Sequence, residues 1–148
     1  SVMFLSAMYR FFPLLFAFIA GCSSVNTDVS DHEYFEDYTD TIVQLKRDQK
    51  LCLVSDDNNY RAFRTTKLRE LDEWCQLSEI ALVPTGTEVK IQRVMKHWVP
   101  VSGNSWYALG SVVVGGQEHE FEYMYGYLHI YRAPWEDNSV PNNRPAPQ

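Results

Sequence analysis

Glu88-Val89-Lys90-Ile91-Gln92 is the stretch that decides the fold. Charged or polar side chains alternate here with β-branched ones, the period of a strand that buries one face and wets the other. Leu82-Val83-Pro84-Thr85-Gly86-Thr87 brings the chain to a turn just before it. Arg93 and Val94 continue the strand, and Met95 to Val99 are expected to follow after a bulge. Pro100 to Asn104 is a turn by its Pro, Ser, Gly and Asn. Ser105 to Val114 is a second strand, and Gly115-Gly116 a hairpin turn, because glycines supply the positive φ that two-residue loops demand. Glu118 to Ile130 is the returning strand or pair of strands. Phe121, Tyr123, Tyr125 and Tyr127 are placed on one face, Glu120, Glu122 and Met124 on the other, and Gly126 marks a bend.

Outward from this meander the signal weakens. Ala133 to Gln148 carries four prolines and no hydrophobic period, so 133–148 is expected to be a disordered tail. On the other side, Leu51 and Leu53 alternate with Cys52, which suits a strand with the sulfur on the opposite face. Asp56-Asp57-Asn58-Asn59 then supplies turn chemistry. Leu68, Leu71 and Cys75 fall at helical spacing, as do Leu71, Trp74 and Leu77. One short helix is expected over about Thr66 to Gln76, although a strand and an irregular link would also fit. Thr41 to Leu45 is a short apolar run that opens the domain, 41–132.

The succession from Pro84 onward resembles bacterial SH3-like domains. The residues that carry the resemblance are Gly86-Thr87-Glu88-Val89-Lys90-Ile91, Trp106-Tyr107, and Gly115-Gly116 followed by Phe121. The resemblance implies a mainly β fold, a small SH3-like barrel. The closing Gly-Trp-Val of that family is absent, with Tyr125-Gly126-Tyr127-Leu128 where it would fall, and this departure bears on the cell-wall-binding surface more than on the barrel.

Residues 22–40 are polar and strongly acidic, with Asp28, Asp31, Glu33, Glu36, Asp37 and Asp40 and no Lys or Arg. Like charges repel and few aliphatics are present to bury, so this segment is expected to be an extended tether. Tyr34, Phe35 and Tyr38 interrupt it, and could form one face of a short helix that docks back on the domain.

Before the tether stands the apolar run Phe11 to Ala20, with Arg10 as its only preceding charge. It has the basic start, short greasy middle and small-residue exit of a secretory signal, and it is shorter than the roughly 20 residues a spanning helix needs. Ile19-Ala20-Gly21-Cys22 resembles the lipobox of bacterial lipoproteins. That resemblance implies a signal peptide over 1–21, a diacylglyceryl thioether on Cys22, cleavage before it, and acylation of the new amine. Ser23 and Ser24 follow with no Asp beside the Cys, a pattern that in Gram-negative lipoproteins resembles export to the outer membrane, facing the periplasm; a Gram-positive surface lipoprotein is the alternative.

Composition narrows the function. The chain carries a formal charge of −6, made one unit more negative by losing Arg10 with the leader. An acidic body suits nucleic acid poorly, since that affinity comes from neutralising phosphates with Lys and Arg. Cys52 and Cys75 remain once Cys22 is lipidated, and in an oxidising periplasm an even pair reads first as a disulfide bond. Two buried free thiols are the alternative. No CxxC is present and no His spacing with the cysteines suits a metal, so neither metal nor cofactor is expected.

Catalysis needs a nucleophile, a base and something to orient them. The chain has no Gly-x-Ser-x-Gly elbow, no His-Glu-x-x-His and no phosphate loop. In Glu118-His119-Glu120 a strand would point His119 away from its neighbours, so no enzyme is expected. Aromatic residues crowd the last third instead. Trp106, Phe121 and one tyrosine face suit a core, whereas Trp98, Tyr107 and Trp135 are the candidate ligand-binding rings. Two functions lead: a non-enzymatic outer-membrane lipoprotein that binds an envelope protein or peptidoglycan, or an immunity or inhibitor lipoprotein that neutralises a periplasmic toxin or hydrolase; a small ligand-binding or assembly-factor lipoprotein is a third. The acidic charge favours a basic enzyme as partner in the second case.

Overall fold

β6 (Glu88–Val99), β7 (Gly103–Val114) and β8 (Gln117–Tyr127) form an antiparallel meander at the centre of one sheet. They are seen in a computed structural model that describes residues 23–57 and 63–147. The leader with Cys22, and Asn58 and Asn59 of the expected turn, lie outside the described residues. The β7–β8 turn is the two-residue hairpin that its glycines imply, with Val114 paired to Gln117, Gly115 at φ 59° and Gly116 at φ 80°.

Within the meander, two irregularities in register set which side chains reach the core. In β6 the pairing runs from Ile91↔Gly110 directly to Arg93↔Leu109, so Gln92 is extra and the bulge comes earlier than expected. Val89, Ile91 and Val94 all turn inward as a result. In β8 the pairing runs from Tyr107↔Met124 to Trp106↔Gly126, which leaves Tyr125 extra. Phe121, Tyr123 and Tyr125 line the core as expected, but the extra residue turns Tyr127 to the other face, opposite Ser105.

The sheet extends in both directions from the meander. β1 (Val25–Asp28) and β2 (Thr41–Gln44) pair with successive parts of β6. On the far side β8 runs parallel to β4 (Thr66–Glu70), followed by β3 (Gln49–Leu53) and β5 (Ser78–Val83). β9 (His129–Tyr131) folds back on β8 and carries β10 (Asn143–Arg144). Leu51, Leu68 and Val83 from one end of this path and Val89, Ile91 and Val94 from the other belong to one buried cluster. The open path is therefore rolled around a single core, with Trp106, Phe121 and Tyr125 among its largest buried side chains.

Three expectations are corrected. Residues 23–40 are not a free tether: β1 adds to β6, a succession of turns follows, and Phe35 is fully buried with its ring 4.9 Å from that of Tyr125. One apolar ring placed in the core outweighs the acidic composition around it, since the carboxylates stay in water. Residues 133–147 are not a disordered tail. Ala133, Trp135 and Glu136 are buried, the Lys46 amide donates to the Pro134 carbonyl, and β10 pairs with β9. The helix expected over Thr66 to Gln76 is replaced by β4 and an irregular link. Leu68 faces the core while Leu71, Trp74 and Leu77 stay exposed, so the helical spacing had no apolar face to bury. Among the described residues there is no helix.

Cys52 and Cys75 form a disulfide with Cα atoms 5.2 Å apart. Cys52 sits on the side of β3 opposite the core, level with Lys67 and Glu79, so the bond ties the irregular link across the outer face of the sheet.

Candidate functional site

The three rings expected to form a binding surface do not meet. Trp135 is 3% exposed and packs edge-on against Tyr123 and Tyr125 at 5.2 and 5.7 Å. Its neighbours explain why. Glu136 is buried with a full set of partners: the Tyr125 hydroxyl donates at 2.8 Å, the Ala133 amide at 2.7 Å, and the Arg144 guanidinium at 3.0 and 3.1 Å. Arg144 also lies over the rings of Tyr34 and Tyr125, and Arg47 donates to the carbonyls of Arg132 and Ala133 while pairing with Glu70. Trp135 is thus part of a clasp that closes the core.

Tyr107 and Trp98 face opposite ways. Trp98 pairs with Asn104, on the face that carries Trp106, whereas Tyr107 pairs with Met95 and Met124 on the outer face. There Phe63 covers it edge-on at 5.6 Å, and the Lys67 ammonium lies 5.7 Å from its ring centre. Burial pushes the Tyr107 phenol above its ordinary range. Trp98 remains exposed at the end of β6.

The strap that covers Tyr107 is held by buried charge. Glu122 accepts hydrogen bonds from the amides of Phe63 and Arg64 at 2.7 and 2.8 Å and is paired with Lys67. Arg64 donates to the carbonyls of Gly110 and Phe121 and to the Gln92 side chain. Such a carboxylate positions backbone; its lone pairs are spent on fixed donors. His119, level with Val112, faces away from Glu118 and Glu120, which pair with Val113 and Ser111. Among the described residues, no three His, Cys, Asp or Glu side chains are grouped to hold a metal ion.

What the structure does bring together is an apolar outer edge. β5 pairs with β3 on one side and, among the described residues, with no strand on the other. Ile80 and Leu82 from β5 are exposed, and so are Leu71, Trp74 and Leu77 from the link that precedes it, with Trp74 69% open. Three contacts fix this surface. Lys50, level with Leu82, donates to the Leu71 carbonyl at 2.9 Å; Arg69 donates to the Trp74 carbonyl; and Cys75 is bonded to Cys52 next to them. Leu71, Trp74 and Leu77 were visible in the sequence as a spaced set. Their exposure was not, because periodicity says which side chains share a face and not whether anything covers it.

Compared with known proteins, the chain matches no family model, no curated protein and no solved structure.

Proposed function

We propose that this chain is a bacterial outer-membrane lipoprotein, acylated at Cys22, whose β domain is a non-enzymatic binding module of the periplasmic envelope. The rolled sheet is read as an SH3-like barrel. Gly86 at φ 86° opening β6, the buried Trp106 and Phe121, and the Gly115-Gly116 hairpin support that reading. The observation that carries the function is the exposed apolar edge around β5. A chain that leaves Leu71, Trp74, Leu77, Ile80 and Leu82 in water beside a strand with, among the described residues, one open edge presents what an extended segment of a partner protein needs: main-chain donors and acceptors, flanked by apolar contact area. The disulfide holds Trp74 beside that edge in advance, which reduces the ordering cost of binding.

The partner is read as an envelope protein rather than peptidoglycan, because the free main chain of β5 beside exposed Leu71, Trp74, Leu77, Ile80 and Leu82 suits an added extended segment. A toxin or hydrolase neutralised by an immunity lipoprotein is the second reading, and the net charge of −6 favours it where that enzyme is basic. The test is photocrosslinking in intact cells from position 82. One envelope protein, captured by the native sequence and lost when Trp74→Asp is added, is the expected result. Capture of a secreted enzyme selects the second reading. Recovery of no protein, or only of sacculus fragments, overturns the edge as a protein-binding site.

A further inference from the structure

The acidic segment was expected to hold the domain away from its anchor, yet β1 begins at Val25, three residues after Cys22. Extended chain covers at most about 3.6 Å per residue, so Val25 lies within roughly 11 Å of whatever holds Cys22. Val25 is level with Trp98 on β6, and Trp98 is level with Asn104 on β7. The Asn104 carbonyl accepts from the Leu128 amide, and Tyr127 pairs with Ser105. The start of β1, the β6–β7 turn and the β8–β9 turn therefore form one rim at one end of the sheet.

That rim is apolar and aromatic. Val101 at the tip of the β6–β7 turn is 96% exposed, Leu128 49% and Trp98 40%, and Tyr127 is also open. Leu128 is held at φ 59°, a backbone conformation that an L-residue avoids, and there it projects into solvent with one methyl over Gly103. The rim is also where the chain lacks acid. No Asp or Glu occurs from Val89 to Gln117 or from Tyr123 to Trp135, whereas Lys96, His97, His129 and Arg132 do. Glu88 and Glu118 stand at the opposite ends of the same strands, eleven residues along β6 from Val99, about 36 Å at strand rise.

Resting on the acylation of Cys22, we propose that this rim sits in the headgroup layer of the membrane that carries the anchor, with Trp98, Val101 and Leu128 at the boundary of the acyl chains. A leash of this length leaves the rim no room to stand clear of the surface, and an aromatic, acid-free rim is what an interface accepts. The sheet is then held by two features, lipid and protein, so its orientation is set. β5 is at the other end of the strand order from β1.

The full chain, purified after expression in a bacterium, tests this in vesicles of phosphatidylethanolamine with a minor share of phosphatidylglycerol. Mass spectrometry of the N-terminal peptide comes first: an unmodified Cys22 overturns the anchor, and this proposal with it. With acylation present, lipids brominated near the headgroup are expected to quench tryptophan emission in the native chain and to lose most of that quenching in Trp98→Phe. In Val101→Asp, whose fold the open position protects, quenching is expected to fall severalfold with the protein still on the vesicle. Acylated protein that shows no quenching, or equal quenching in Trp98→Phe, overturns the rim while leaving the anchor intact.

Discussion

Glu136 shows how much a single buried charge decides. Its carboxylate is fully buried and collects the Tyr125 hydroxyl, the Ala133 amide and Arg144, whose side chain is itself largely buried. Removing one partner of a buried pair leaves the other uncompensated. Glu136→Ala should therefore destabilise the domain by about 3 to 5 kcal/mol, read as a lower urea midpoint. Nothing in the sequence distinguishes Glu136 from the other acids, because burial of a carboxylate depends on what tertiary structure brings to it. Tyr123 gives a pH prediction at the same scale. Burial raises its phenol well above the ordinary 10.0, so in alkali the unfolded chain ionises first and releases the proton that the folded chain keeps. Stability due to this group is complete below pH 10 and falls as pH rises beyond it. Tyr123→Phe should move the alkaline unfolding midpoint upward, while Tyr125→Phe, which also breaks the bond to Glu136, should lower stability at neutral pH.

At the scale of elements, the legible parts were those whose pattern is local. β6, β7 and β8 follow from alternation and from the two glycines of their hairpin, and Cys52 was correctly placed on the face opposite Leu51. The errors came where a distant contact overrode composition. Phe35 anchors an acidic segment because Tyr125 lies beneath it, and Leu71, Trp74 and Leu77 keep helical spacing without forming a helix. Phe35→Ala should cost about 3 to 5 kcal/mol, measured by thermal unfolding of residues 23–148, where a detached tether would show no change. The disulfide belongs to this scale too. Cys52→Ala with Cys75→Ala should lower stability by about 2 to 4 kcal/mol and raise the protease sensitivity of residues 71–77 above that of the meander.

For the whole molecule, the candidate site was the least legible part. Sequence divided the aromatic density between a core and one binding surface, the latter made of Trp98, Tyr107 and Trp135, but the density divides among three uses: core, covered outer face and rim. Trp135, Tyr107 and Trp98 each went to a different one. A rolled sheet makes that division unavoidable, since successive residues of one strand face opposite ways and register irregularities at Gln92 and Tyr125 shift the assignment again. The proposed edge at β5 and the proposed rim make independent demands. Val101→Asp should leave crosslinking from position 82 unchanged in detergent, and Trp74→Asp should leave vesicle quenching at Trp98 unchanged. Correlated loss of both would mean that the two substitutions act through unfolding, which circular dichroism would reveal.

Arg144 over the ring of Tyr34 joins nearly the first described residues to nearly the last. A ribosome delivers Tyr34 and Arg144 far apart in time, so the nascent protein has no finished interior to close around until residues 133–147 have emerged. Chains stalled at Arg132 should stay open to proteolysis throughout, and those extended beyond Pro147 should become resistant in a single step.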